Sequence, residues 1–289
     1  MKTKQLVLLF LGFTLCLACH VYADTLVWKV SKGDNELYIG GTIHVLSPSD
    51  YPLPVEYDQA YKQADTVILE TDLQRLQTPQ MQQLLLNKMT YSDGKTLKQV
   101  LSKDTYQALE AFFTDRHMSM ASVQQFKPGM TSMMMTMMEL QRLGLAGVGV
   151  DQFYTNKARA DNKTLGQLES VEQQLDFLAG MGEGQEDALI AYTLRDLKTL
   201  NEFFTTLKKA WRKGDVESLE ALGITELKQQ FPQVYNSLLV KRNNAWLPQI
   251  RAMLNTKEVE FVLVGALHLV GDDGVIKQLL DRGYNVELM

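Results

Sequence analysis

Two stretches of the chain end on the same pattern. ELYIGGTIHVL covers residues 36–46 and EFVLVGALHLV covers 260–270, and aligned without a gap they share Glu36/Glu260, Gly41/Gly265 and His44/His268. Nearly everything else in both is apolar, as in buried strands. Alternation puts Tyr38, Gly40, Thr42 and His44 on one face, with His44 at or past the carboxyl end, and His268 is expected in the equivalent place. Ligands of open α/β sheets bind at that end. Two imidazoles presented there could hold a divalent metal or serve as acid and base. A glycine three residues before each histidine leaves room for a ligand or another backbone. A lone strand-end histidine is as well explained by a structural hydrogen bond, so the weight rests on the duplication.

Acidic residues accompany the pair. TVILETDL (66–73) sets Glu70 at the end of an apolar strand, with Asp72 on the same face. A carboxylate there could ligate a metal or activate water, or simply be a solvated strand end. Asp151 in GVGVDQFY and Glu169 in TLGQLES bracket a helix and a strand; each taken alone reads as a cap or a structural acid. Arg242 in VKRNNAW could orient a carboxylate or carbonyl, or be a charge on a helix surface.

These residues need a scaffold. Apolar or alternating runs predict strands at 26–31, 36–43, 66–71, 164–168, 259–266 and 284–288. Periodicity and end signals predict helices at 54–65, 102–117, 185–213 (the longest) and 273–282 closed by Gly283, with a capping box between Ser170 and Gln173. No linker-like boundary interrupts residues 24–289. The paired motifs lie at opposite ends, so a shared site requires both ends in one sheet. The expected fold is a single α/β domain: a mixed central sheet flanked by helices, with a largely helical cap.

The first residues read as a secretory leader: MKTK supplies charge, LVLLFLGFTLCLA an apolar core, and VYAD a cleavage site after Ala23. A lipoprotein reading through Cys19 is the weaker, because Cys16 stands where such sites want leucine. The apolar run is too short to span a bilayer, and no later segment is long and apolar enough. Both cysteines of the chain, Cys16 and Cys19, lie in this leader. The exported chain would carry no thiol nucleophile, cysteine-bound metal or disulfide. Of four histidines it keeps His44, His117 and His268, and its net charge becomes −7. Nothing in it matches the basic stripe of a nucleic-acid binder.

Taken in order, YIGGTIHVL, VILETDL, GVGVDQFY, KTLGQLESVEQQLDFL, AWRKGD, LLVKRNNAW and FVLVGALHLVGDDGVIKQLLDRGYNV resemble the TraB/GumN family of Tiki/TraB-like metalloproteases. The resemblance covers nearly the whole chain after the leader. It implies a fold akin to erythromycin-esterase-like and ChaN-like proteins. It also implies a site built from His44, His268 and the early acidic residue Glu70, with manganese, cobalt or zinc as the metal. Asp151, Glu169, Arg242 and Asn243 would support that site or grip substrate. The activity implied is cleavage of a peptide or protein substrate. Because the wider superfamily includes a haem-binding lipoprotein, a non-catalytic periplasmic binder of peptide, haem or metal is the alternative, and metal-free acid/base hydrolysis a third reading. Oligomeric state is not legible.

The chain departs from the family after FKP, where relatives often carry tryptophan and this sequence has Gly129. Then follows MTSMMMTMMELQ, with six of the 14 methionines in 130–138. Adaptable packing under a cap is the plainest reading. A soft surface for apolar peptide side chains and a copper(I) site are the functional ones.

Overall fold

A computed structural model describes residues 25–289; the leader expected over 1–23 lies outside the described residues. Six strands form one mixed sheet. β1 (Val27–Lys32) and β2 (Asn35–Thr42) make a hairpin turning at Gly33, whose φ of 61° suits glycine. β3 (Thr66–Leu69), β4 (Thr164–Gln167), β5 (Glu260–Gly265) and β6 (Asn285–Leu288) complete it in the order β4-β3-β5-β2-β1-β6. β4, β3, β5 and β2 run parallel; β1 is antiparallel to β2 and to β6. The strands fall where the apolar runs predict them. β3 and β5 are buried almost throughout, which is why their sequences read as continuous apolar runs rather than alternation.

Helices flank the sheet. Tyr57 of the helix Val55–Gln63 and Tyr154 of the helix Val150–Ala160 pack against Phe261 of β5, with ring centroids 6.3 Å and 5.7 Å away. Together with Trp211 and Trp246 they belong to the main core. A second core lies in the helical cap, where Phe113, Met135, Leu140, Ile190 and Leu200 cluster. Phe204 packs against both.

The long helix expected over 185–213 is two helices, Glu186–Asp196 and Leu200–Arg212. The break lets one segment serve both cores. Ile190, Leu197 and Leu200 enter the cap cluster. Trp211 enters the sheet's core and donates from Nε1 to the Gly41 carbonyl at 2.7 Å. No proline or glycine marks the break, so periodicity ran through it. The longest helix among the described residues is Pro128–Arg142, the methionine-rich one. No helix of the described residues is long and apolar enough to cross a membrane.

Candidate functional site

The four parallel strands end side by side, and a candidate residue follows each. His44 comes just after β2, Glu70 just after β3, Glu169 just after β4 and His268 just after β5. Arg242 and Asn243 arrive from the helix Lys241–Met253. A wider π-type turn at Asn236–Val240 leads into that helix. Such turns often accompany functional sites.

The two Gly-x-x-His motifs are not equivalent in the sheet, contrary to their matched sequences. β2 and β5 pair with Thr42 opposite Gly265 and Gly41 opposite Val264, one residue out of step. Paired residues share a face and successive ones alternate, so the two glycines face opposite sides. A Cβ on Gly41 would collide with Leu26. A Cβ on Gly265 would enter the site, 3.3 Å from Glu70 Oε1, 3.5 Å from His268 Cδ2 and 3.6 Å from His44 Nε2. One glycine serves packing and the other leaves a cradle that three candidate side chains surround. His44 lies in an open loop with its side chain 60% exposed. His268 lies in a tight 3-10 turn, Ala266–His268, and is buried.

Each imidazole is held through Nδ1. Asp151 Oδ2 is 3.2 Å from His44 Nδ1. Asn243 Oδ1 is 2.6 Å from His268 Nδ1, and Asn243 Nδ2 donates to the carbonyls of His268 and Asp273. Asn243 therefore accepts the His268 Nδ1–H, which leaves the Nε2 lone pair to accept from Arg242 Nη1 at 3.0 Å. Asp151 reaches His44 because the GVGV stretch runs against the loop after β2: Gly147 N donates to Leu46 O and Val150 N to Ile43 O. A side chain at Gly149 would strike the His44 carbonyl.

Arg242 ties the acids together. It donates from Nη2 to Glu70 Oε2 and to Glu169 Oε1, each at 2.6 Å, and from Nε to both Glu169 oxygens at 3.1 Å. Glu70 Oε1 accepts the Gly265 N–H at 2.6 Å. Trp246 Nε1 donates to Glu169 Oε2, and its ring packs 4.5 Å from that of His268. Glu70, Glu169, Arg242, Asn243 and His268 are all buried, so Arg242 is no surface charge. Asp72 does not join them; it caps the short helix Leu73–Leu76, accepting from the N–H groups of Gln74 and Arg75. The Gly265 N–H, Trp246, and Gln174, 3.4 Å from Glu70 Oε2, are neighbours that sequence reasoning did not single out. Trp246 had a signal, one helical turn after Arg242.

The electrostatics separate the two histidines. Burial pushes His268 down, more than Glu70 raises it, to about 3, so it is neutral. Desolvation also opposes the charge on His44, but Asp151 and Glu70 outweigh it and push its pKa up to about 9. Burial raises Glu70, yet the charges of Arg242 and His44 and the Gly265 N–H hold it below the usual carboxylate range. Burial raises Glu169 beyond what Arg242 offsets.

A cleft of about 430 Å³ opens over this floor, lined by His44, Glu70, Asp151 and Arg242 and roofed by apolar side chains. A larger hollow of about 740 Å³ lies in the cap around Phe112 and Arg116, and no histidine lines it.

For a metal, the donors are two imidazoles with Nδ1 engaged by a carboxylate and an amide, as metal-holding histidines usually are, and the Glu70 carboxylate. His268 Nε2 and Glu70 Oε1 are 3.9 Å apart, a spacing two ligands of one ion can have at bond lengths of about 2 Å. The Gly265 cradle lies beside them. By donor type the set suits a divalent ion, while Arg242 occupies the His268 Nε2 lone pair. As the side chains stand, no group of three His, Cys, Asp or Glu among the described residues is arranged around a single ion position.

The sequence comparison gives the class. The family model of the TraB/PrgY/gumN family matches residues 26–288, and the chain belongs to that family. It is 27% identical over 250 residues to the "Uncharacterized protein YbaP" of Escherichia coli K12, covering 86% of this chain and 89% of that protein. The YbaP of Shigella flexneri matches at the same identity and coverage. No solved structure gives a significant match.

Proposed function

We propose that this protein is an exported, metal-dependent hydrolase of peptide bonds. The observation that carries the reading is the open space at Gly265, bordered by His44 Nε2, Glu70 Oε1 and the His268 ring, with His44 and Glu70 also lining the cleft. The family resemblance supports it. His44, Glu70 and His268 would hold the ion, which when bound polarises a carbonyl and makes water more acidic. Where Glu70 is not a ligand, its carboxylate, fixed by Arg242 and the Gly265 N–H, would instead accept the proton of the attacking water. Asp151 orients His44, and Asn243 fixes the tautomer of His268. Arg242, with its N–H groups engaged by Glu70, Glu169, His268 and the Leu238 carbonyl, holds these groups in place. The step balances with water alone: oxygen bonds to the carbonyl carbon, the C–N bond breaks, and the leaving amine takes a proton. Export rests on the leader, and cleavage after Ala23 would start the mature chain at Asp24.

The test is hydrolysis of a fluorogenic peptide library by the protein purified after export, with metal content measured on the same sample. Expected are turnover, its loss on chelation, and recovery with manganese, cobalt or zinc. Glu70→Gln should remove turnover while leaving the fold. Ligand-induced stabilisation without turnover would replace this reading with the binding protein.

A second reading, acid/base hydrolysis without metal, is favoured by one specific contact. Arg242 Nη1 already occupies the His268 Nε2 lone pair that a metal would need, and His44, whose charge Asp151 and Glu70 favour, is placed to act as an acid. Turnover that survives complete metal removal would establish it.

A further inference from the structure

The roof of the cleft is apolar; Met133, Met137, Leu73, Phe177 and Leu178 join no core cluster, and Leu76 packs against a small one. The helix Pro128–Arg142 divides its methionines. Met135 is buried in the cap cluster and Met134 and Met138 pack against it. Met133 and Met137, one helical turn apart and so on one face, line the cleft instead. Met137 is 39% exposed although large and apolar. Opposite stand Leu73 and Leu76 of the short helix after Glu70, and Phe177 and Leu178 of the helix Val171–Ala179. The departure at Gly129 makes this arrangement possible: a Cβ there would lie 2.7 Å from the Leu178 carbonyl. Without a side chain at 129 the methionine helix sits directly against the helix that carries Phe177.

We propose that this apolar wall is a side-chain pocket, and that the substrates are peptides with a large apolar residue, such as leucine, methionine or phenylalanine, next to the scissile bond. The proposal rests on the hydrolase reading for its scissile bond. The occupant follows from continuity: the apolar residues and the His44, Glu70 and Arg242 groups line one cleft. A carbonyl at the floor therefore carries its neighbouring side chain into the roof. The volume of about 430 Å³ lies in the range of small-ligand pockets, enough for a short peptide segment. Thioether side chains adapt to several shapes, so the preference is for apolar bulk rather than one residue.

The experiment uses the full chain, exported and purified, with a positional-scanning peptide library and a series of N-acetyl amino-acid amides. The wild type should cleave beside leucine, methionine and phenylalanine at least tenfold faster than beside alanine, aspartate or lysine. Met137→Trp fills the pocket and should lower the ratio of kcat/KM for phenylalanine peptides to that for alanine peptides tenfold or more. Met133→Leu with Met137→Leu keeps apolar bulk and should keep the preference. Cleavage without apolar preference, or a preference unmoved by Met137→Trp, overturns the pocket but leaves the hydrolase. If no peptide is cleaved, the hydrolase reading fails, and the amides decide the pocket. N-acetyl-phenylalaninamide and N-acetyl-leucinamide should then shift the spectrum of methyl-labelled methionines, and N-acetyl-alaninamide should not. No shift with any amide overturns the pocket as well.

Discussion

Arg242 Nη2 lies 2.6 Å from Glu70 Oε2 and, from the same nitrogen, 2.6 Å from Glu169 Oε1. One buried guanidinium thus bridges two buried carboxylates that follow neighbouring strands. Removing it leaves both acids facing each other in low dielectric. Arg242→Met should cost about 3–5 kcal/mol, the scale for breaking a buried ion pair, read as a lower urea midpoint. A variant as stable as wild type would mean that the pair does not bear on folding.

The staggered glycines predict opposite outcomes for the same substitution. Gly41→Ala drives a methyl into Leu26 in the core and should cost about 1–3 kcal/mol through overpacking. Gly265→Ala meets only ordinary or slightly tight contacts, the nearest 3.3 Å away, and should fold well. Its methyl occupies the cradle, so turnover should fall tenfold or more. Thermal melts and peptide turnover on both variants separate the two roles.

Two depressed groups each contribute a loss of stability in acid to the metal-free protein. His268 falls from 6.5 to about 3 on folding, so the unfolded chain takes up its proton first. Its contribution is complete above pH 6.5 and is lost as pH falls toward 3. Glu70, held below its ordinary 4.5, adds a loss as pH falls below that value. Between pH 7 and 4 the urea midpoint of the wild type should fall relative to that of His268→Gln, the comparison that isolates this group from Glu260, whose contribution runs the other way.

Glu260 carries the opposite sign. It is buried at the far end of β5 with Oε2 unpartnered. Burial, with Glu258 and Asp65 nearby, raises it from 4.5 to about 7. The folded protein holds this proton longer, so stability is fully present below pH 4.5 and declines as pH rises through 7. Glu260→Gln should gain about 1–3 kcal/mol at pH 8, the cost of an unmet buried polar group, and nothing near pH 4.5. A pH-independent effect would contradict the assignment.

His44→Ala should abolish turnover with little change in melting temperature, because the side chain is largely exposed and held by Asp151 alone. His117→Ala, at a positive-φ turn after the helix Lys103–Thr114, should leave turnover intact. Asp151→Asn should lower it by weakening the hold on His44, and His44, followed by NMR, should titrate below about 9.

The sequence by itself determined the strands, because buried parallel strands must be apolar along their length, as VIL in β3 and FVLVG in β5 are. It also marked His44, Glu70, Glu169 and His268, since polar residues ending apolar runs stand out. The family followed from the order of those motifs. What it left open required coordinates in space. The register of β2 against β5, which turns Gly41 and Gly265 to opposite faces, is set by pairing between segments more than two hundred residues apart. No local pattern encodes that one-residue offset, because each strand is apolar on both faces. The break at 197–199 depended on two cores competing for one helix. Arg242 read as a surface charge until the helix carrying it lay against β4 and β5, where two acids and a histidine claim its guanidinium. The division of the methionines had the same cause: a helix rich in one residue has no sequence signal for which face meets a core and which meets a cleft. Packing around Gly129 decided that.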